Sequence, residues 1–231
     1  MKTIGLLGGM SWESTIPYYQ TVNRVVRDRL GGLHSAKLLL YSVDFHEVEA
    51  CQSSGRWAEA GDMLVAGARS LERGGAEFLV LCTNTMHKVA RQIEAAVGIP
   101  LLHIADATAA RVTAAGLKRI GLLGTRFTME EDFYRGRLEG GYGLEVVVPV
   151  GEARETVHRI IYDELCCGRI LDESRAAYRR IVNDLLAQHV EGVILGCTEI
   201  GLLLRPGDVE IPLFDTAVIH AEEAARYALG S

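Results

Sequence analysis

Phe78-Leu79-Val80-Leu81-Cys82-Thr83-Asn84-Thr85 and Gly192-Val193-Ile194-Leu195-Gly196-Cys197-Thr198-Glu199 are two segments with one pattern. Each begins with an apolar run typical of a buried strand and continues into small polar side chains. In open α/β sheets, ligands bind at the carboxyl ends of the strands. The chain is therefore predicted to present two matched polar strand ends, one to each face of a substrate.

The two segments belong to two half-copies of the chain. Ile4-Gly5-Leu6-Leu7-Gly8 recurs as Ile120-Gly121-Leu122-Leu123-Gly124, and Ile99-Pro100-Leu101-Leu102 recurs as Ile211-Pro212-Leu213-Phe214. All the matches keep their order along the chain, which favours a duplicated architecture. We predict an α/β fold of two pseudo-symmetric lobes, each a parallel sheet flanked by helices, with the active site in the cleft between them.

Apolar periodicity and turn residues give the elements of the first half. They predict strands over residues 4–7, 37–43 and 78–81, and helices over residues 15–30, 57–73 and 86–97.

Composition narrows the class of protein. The chain has 231 residues, 48% of them hydrophobic, and a net charge of −6 without long runs of one sign. Nucleic acid and anionic membranes are therefore not expected as partners. We expect no signal peptide at the start and no apolar run near the ~20 residues that span a bilayer. Five cysteines without a secretory signal predict free thiols and a cytoplasmic protein.

Cysteine at a strand end has two interpretations. Cys197 can be a thiol whose pKa is lowered by the N-terminus of the following helix, and we predict that it acts as a base. Cys51, Cys166 and Cys167 are predicted to be small buried residues. The internal alignment places Thr83, not Cys82, opposite Cys197. Because side chains alternate along a strand, Cys82 is predicted to lie in the core, although it stays a rival catalytic residue.

Chemistry that depends on a cofactor finds little support in the sequence. Pyridoxal phosphate needs a Schiff-base lysine, and the lysines lie at strand starts, in a loop or on a helix: Lys2, Lys37, Lys88 and Lys118. The first glycine turn is not a dinucleotide-binding motif, and no phosphate-binding Gly-Lys-Ser/Thr occurs. Histidines and cysteines have no zinc-ligand spacing. We expect neither a cofactor nor a metal.

Three motifs carry a resemblance to a known family. They are Gly5-Leu6-Leu7-Gly8-Gly9-Met10, Asn84-Thr85 with His87, and Gly196-Cys197-Thr198-Glu199. Over essentially its whole length the chain resembles the aspartate/glutamate racemases, which are cofactor-independent amino-acid racemases. It is most similar to the enterobacterial aspartate/glutamate-specific branch, also described as broad-specificity racemases.

The resemblance implies a mechanism and a set of site residues. Family members remove the α-proton with one cysteine and return a proton to the opposite face with another. Here the catalytic positions are Thr83 and Cys197. Substrate-binding positions carried over from the family are Met10, Gln52, Asn84, Thr85, Thr125, Thr198 and Glu199. The resemblance also implies a homodimer whose substrate is an amino acid, a small molecule, and a C-terminal segment that returns to the first lobe. The expected lobes are residues 1–98 with 213–231, and residues 99–212.

Two departures from the family shape the prediction. Thr83 stands where the family has its first cysteine, and an alcohol is a much weaker acid than a thiol. We therefore predict faster proton abstraction from the L- than from the D-enantiomer. Residues 161–168 lack a lysine found in relatives that strictly prefer aspartate.

The predicted function is racemisation of aspartate or glutamate, with three alternatives. The first is a wider range that includes neutral amino acids such as homoserine. The second is a decarboxylase or isomerase that uses a single cysteine. The third is an amino-acid-binding protein of the same architecture.

Overall fold

The structure is a computed structural model that describes residues 1–230. The chain forms two compact units. One comprises Met1–Ile104 with the segment from His220 onward, and the other comprises Ala105–Ile219. Each unit contains a four-stranded sheet with helices, so the predicted α/β class with two similar halves is confirmed.

The first unit has a parallel sheet of order β2-β1-β3-β4. Its strands are β1 (Ile4–Gly8), β2 (Leu38–Ser42), β3 (Phe78–Leu81) and β4 (Leu101–Leu102). Its helices are α1 (Trp12–Leu30), α2 (Phe45–Ser53), α3 (Trp57–Arg73), a 3₁₀ helix (Thr85–Val89) and α4 (Ala90–Glu94).

The second unit repeats this plan with the order β6-β5-β7-β8, again all parallel. Its strands are β5 (Arg119–Gly124), β6 (Glu145–Val147), β7 (Gly192–Gly196) and β8 (Leu213–Asp215). The remaining helices are α5 (Ile104–Ala114), α6 (Arg126–Glu130), α7 (Asp132–Tyr142), α8 (Glu152–Asp163), a 3₁₀ helix (Leu165–Cys167), α9 (Asp172–Leu186), α10 (Ile200–Leu203) and α11 (Thr216–Leu229).

The boundaries of the two units differ from the expected lobes. β4 pairs with β3, which keeps the chain in the first unit as far as Ile104. β8 pairs with β7, which keeps the chain in the second unit until Ile219, inside α11. Beyond that point α11 joins the first unit, where the Lys2 N–H donates a hydrogen bond to the Ala228 carbonyl at 2.8 Å.

Residues 86–97 differ from the single helix that we predicted. The backbone first forms the 3₁₀ helix, in which the His87 N–H donates to the Asn84 carbonyl at 3.1 Å, and only then the short α4. β-Branched Thr85 and Val89 lower the helix propensity of this segment. Gly98 and Pro100 follow and prevent a longer helix. The helix over residues 57–73 is confirmed with its bounds.

Close backbone approach explains the glycines at the ends of β5 and β7. Gly124 pairs with Gly196 in the register of these strands. A Cβ at Gly196 would lie 2.6 Å from Leu122 Cδ1 and 2.9 Å from the Leu123 carbonyl oxygen. A side chain there would force the strands apart, so glycine sets the position of the residue that follows.

None of the helices in residues 1–230 is long and apolar enough to cross a membrane.

Candidate active site

The carboxyl edge of the second sheet brings Thr125 and Cys197 side by side. They directly follow Gly124 and Gly196, the last paired residues of β5 and β7. Cys197 is 8% exposed and Thr125 is 3% exposed. This edge is where the topology of a parallel sheet predicts a ligand site.

Cys197 is hydrogen-bonded to the carboxylate two residues further along the chain. Its thiol donates to Glu199 Oε2 at 2.9 Å, and the Thr198 hydroxyl donates to the same oxygen at 3.0 Å. All three side chains are buried. The carboxylate is thus placed to receive a proton from the thiol, and the threonine hydroxyl helps to stabilise its charge.

The pKa of the Cys197 thiol is raised well above its ordinary value, first by burial and then by the Glu199 charge. The sequence-based expectation of a lowered pKa is therefore wrong. The following helix, α10, spans only Ile200–Leu203, and burial together with a neighbouring carboxylate outweighs it. The Glu199 backbone N–H bonds toward the sulfur and lowers the pKa, but it is the weaker influence.

The sequence did not reveal that Tyr178 lies in the same buried cluster as Cys197. Tyr178 is completely buried, and its hydroxyl donates to the Val157 carbonyl at 3.1 Å. Burial and the charges of Cys197, Cys166, Glu164 and Glu199 raise the pKa of Tyr178. Tyr178 is therefore a neutral phenol in the buried cluster that also contains Cys197. Its signal in the sequence is only its place on the apolar face of α9.

The other cysteines divide by location. Cys51 is 4% exposed, as predicted. Cys166 is half-buried and Cys167 is exposed, so the prediction that both are buried is wrong. They lie in the short 3₁₀ helix that ends at Gly168, whose φ of 70° turns the chain outward.

Thr125 has a structural task in the described structure. Its hydroxyl oxygen accepts a hydrogen bond from the Thr128 N–H at 3.3 Å and caps α6. The cap holds the turn after β5 in place. The same hydroxyl lies 3.2 Å from Thr128 Oγ1. Thr125 therefore lies at the predicted edge, with its hydroxyl already engaged locally.

The carboxyl edge of the first sheet holds the second group of predicted residues. The Cys82 N–H donates to the Leu7 carbonyl at 2.9 Å, and the Thr83 N–H donates to the Leu81 carbonyl at 2.8 Å. The first bond continues the pairing of β3 with β1, and the second closes a tight turn directly after β3. Thr83, Asn84 and Thr85 are 6%, 2% and 5% exposed in this turn.

Cys82 is a core residue, as predicted. It is 0% exposed, and its thiol donates to the Val80 carbonyl at 3.6 Å. Burial raises the pKa of this thiol far above its ordinary value. Unlike the Cys197 thiol, it is bonded to a carbonyl group, which does not take up its proton, and not to a carboxylate.

Gln52 and Met10 lie near the same edge. The Gln52 amide donates to Met86 Sδ at 3.0 Å, and Met86 directly follows Thr85. Met10 follows β1 and belongs to the same buried cluster as Met86. Gln52 thus contacts the segment that directly follows Thr85, and Met10 lies in the same buried cluster as that segment's Met86.

Metal chemistry has no candidate site in the part of the chain that is described. Residues 1–230 contain no group of three His, Cys, Asp or Glu side chains that could hold a metal ion.

Comparisons with known proteins agree with the family resemblance carried by the three sequence motifs. Residues 7–224 match the family described as Asp/Glu/hydantoin racemase. A broad-specificity amino-acid racemase from Bacillus subtilis (strain 168) is 25% identical over 224 residues, which cover 95% of this chain and 95% of that protein.

Two solved structures are also similar. A Yersinia pestis protein proposed to be an Asp/Glu racemase is 59% identical, with a TM-score of 0.91 and coverage of 99% of this chain and 100% of that one. An aspartate racemase homologue from Pyrococcus horikoshii OT3 is 36% identical, with a TM-score of 0.84 and the same coverage. The resemblance inferred from the three motifs, and the isomerase class that it implies, are confirmed. The chain belongs to the Asp/Glu/hydantoin racemase family.

Proposed function

We propose that the protein racemises aspartate and glutamate without a cofactor, by removing the α-proton and returning a proton to the opposite face. The observation that carries this proposal is the buried hydrogen bond from the Cys197 thiol to the Glu199 carboxylate. It supplies a thiol and a built-in proton acceptor at a strand end, in a chain of the racemase family.

The proposed reaction conserves protons at each step. Cys197 passes its proton to Glu199 and becomes a thiolate, which takes the α-proton of the L-amino acid. The Thr83 position then delivers a proton to the other face of the carbanion, directly or through water. After the product leaves, Glu199 releases its proton to water and Thr83 regains a proton from water, which restores the starting state. Proton transfer by positioned groups of this kind contributes about 10²–10⁴-fold to a rate. Asn84, Thr85, Thr125 and Thr198 are proposed to bind the α-carboxylate, with Met10 and Gln52 toward the side chain.

Glu199→Gln is expected to separate thiol acidity from catalysis. Removing the carboxylate removes a cause of the high pKa of Cys197, so alkylation of Cys197 by iodoacetamide at pH 8 should become faster. The amide cannot take the thiol proton, so α-deuterium exchange should fall by about 10²-fold. The rate of alkylation and the rate of α-deuterium exchange are measured on one preparation. Mass spectrometry locates the alkylated cysteine. Exchange as fast as that of the wild type would remove Glu199 from the mechanism.

A second candidate function is racemisation of neutral amino acids such as homoserine. No lysine or arginine of residues 1–230 is buried, and the only buried charged side chain at either strand edge is Glu199. A substrate β- or γ-carboxylate would thus lack a buried cationic partner. The B. subtilis relative of broad specificity is consistent with this alternative.

A substrate series tests the proposed function directly. The protein is incubated in deuterium oxide without added cofactor, and α-deuterium incorporation is followed by NMR for L-aspartate, L-glutamate, L-homoserine and L-alanine. We expect the highest kcat/KM for aspartate or glutamate. A value at least 10-fold higher for homoserine would favour the second candidate. Exchange with none of them would reject a racemase and favour the binding protein or the decarboxylase.

We further propose a cytoplasmic homodimer. All five cysteines are free thiols, which suits a reducing compartment. On α1, Trp12 is 62% exposed and Tyr19 is 54% exposed, and large aromatic side chains of this kind are enriched at protein interfaces.

A further inference from the structure

Three buried histidines lie together beside the turn that follows β3. His87, His103 and His220 are 3%, 5% and 0% exposed. The ring centroids of His87 and His103 are 4.3 Å apart, and those of His87 and His220 are 6.1 Å apart. No step of the proposed reaction uses any of these rings.

The hydrogen bonds of His87 define its tautomer. Its Nδ1 lies 2.7 Å from the Thr83 carbonyl oxygen, which can only accept, so Nδ1 carries the proton. Its Nε2 accepts from the Ile104 backbone N–H at 3.2 Å, so Nε2 carries a lone pair. Both bonds are satisfied only by the neutral imidazole with the proton on Nδ1.

The His87 Nδ1–H group provides the second of two hydrogen bonds that fix the Thr83 backbone. The Thr83 N–H is already bonded to the Leu81 carbonyl at 2.8 Å, and His87 holds the carbonyl on the other side of the residue. With both backbone groups fixed, the direction in which Cβ points is also fixed. A residue that delivers a proton needs this kind of control, because small misplacements of reacting groups cost large factors in rate.

His87 is itself held by rigid parts of the first unit. Ile104, its second partner, begins α5 two residues after β4. His220, on α11, donates from Nε2 to the Leu102 carbonyl at 2.9 Å and accepts at Nδ1 from the Tyr18 hydroxyl at 3.0 Å. These contacts therefore link the turn at Thr83 to β4 and to three helices, α1, α5 and α11.

We propose that His87 is the positioning residue for Thr83 and controls which face of the carbanion receives the proton. The inference rests on the proposed function, in which Thr83 serves the face opposite Cys197. With Thr83 misplaced, Cys197 still removes the α-proton, and the thiol then exchanges this proton for a deuteron of the solvent. Cys197 returns that deuteron to the same face. The substrate then exchanges its α-hydrogen without inverting.

The partition between inversion and retention is the quantity that tests this inference. L-Aspartate, or the best substrate of the series, is incubated in deuterium oxide. The early amounts of D-product and of α-deuterated L-substrate are then measured by chiral chromatography with mass detection. In His87→Leu we expect the ratio of inversion to retention to fall at least 10-fold. In His87→Asn, whose amide N–H can still reach the Thr83 carbonyl, we expect a ratio within about 3-fold of that of the wild type.

His220→Asn is the matched control, because it removes a buried histidine of the same cluster without touching the Thr83 carbonyl. We expect its ratio to stay within about 2-fold of the wild-type value even if its melting temperature falls. The ratio counts only active molecules, so partial misfolding of a variant does not change it.

The outcomes are distinct. An unchanged ratio in His87→Leu, or equal losses of inversion and retention, would overturn the positioning role and leave racemisation standing. A fall in His220→Asn equal to that in His87→Leu would assign the effect to general loosening and also overturn it. No exchange by the wild type with any substrate would overturn the proposed function and this inference with it.

Discussion

Cys197→Ala is expected to lower the rate of α-deuterium incorporation into the L-substrate by at least about 10³-fold. The substitution removes the group that we propose takes the α-proton, and positioned bases contribute up to about 10⁴-fold. Alanine is smaller than cysteine, and the site is buried beside Tyr178, so the fold should be retained. Proton NMR in deuterium oxide measures the exchange, and circular dichroism verifies the folded state of the variant.

Two other buried thiols provide matched controls for this prediction. Cys82→Ala and Cys51→Ala remove sulfur atoms that are 0% and 4% exposed in the first unit. We expect both variants to exchange within about 5-fold of the wild type. Loss of exchange in Cys82→Ala comparable to that in Cys197→Ala would mean that the thiol next to Thr83 shares in the chemistry, contrary to the proposed roles.

The architecture was predictable because its signals are local and repeated. Apolar runs such as residues 78–81 and 192–195 predict buried strands. Gly124 and Gly196 directly follow two of these runs, and they are the residues at which the two strand backbones approach closely. Repetition of these signals in one order indicates duplication. The unit boundaries were less predictable, because they depend on the pairing of the short strands β4 and β8.

The state of the candidate base could not be predicted from its motif. A cysteine followed by a helix suggests a lowered pKa, but the outcome depends on burial and on the direction of the Glu199 side chain. Side-chain direction is set by packing across the whole unit, which no window of sequence reports. The bond between His87 and Thr83 could not be predicted either, because it depends on the 3₁₀ helix that replaces the start of the predicted helix over residues 86–97.

A thiol with a raised pKa can act as a base if a neighbouring group accepts its proton. Burial and the Glu199 charge favour the protonated form of the Cys197 thiol by raising its pKa, and its hydrogen bond already points to Glu199 Oε2. Proton transfer along that bond creates the thiolate without releasing a proton to solvent. The Thr83 side offers a hydroxyl, whose pKa lies far above the ~8.5 of a thiol. In the proposed mechanism, the two proton-transferring groups therefore differ strongly in acidity.

The kinetic consequence of this difference is that the two enantiomers exchange at different rates. We expect initial α-deuterium exchange from the L-enantiomer to be at least about 10-fold faster than from the D-enantiomer. The equilibrium constant stays at one, because mirror images have equal free energies. Each unit of pKa separates proton affinities by about 1.4 kcal/mol, so a 10-fold bias needs only part of the gap between a thiol and an alcohol. Initial rates from each pure enantiomer, measured by NMR at matched saturation, give the ratio.

Thr83→Cys tests the cause of the bias. A thiol at this position is held by the same backbone bonds to Leu81 and His87, so we expect exchange from the D-enantiomer to rise at least about 10-fold while exchange from the L-enantiomer changes little. Thr83→Val, which keeps the shape of the side chain and removes the hydroxyl, is the control. Its rate of inversion should be lower than that of the wild type. Equal initial rates from the two enantiomers in the wild type would contradict the assignment of Thr83 as the weaker partner. Exchange in Thr83→Cys that remained confined to the L-enantiomer would place the second proton donor elsewhere in the chain.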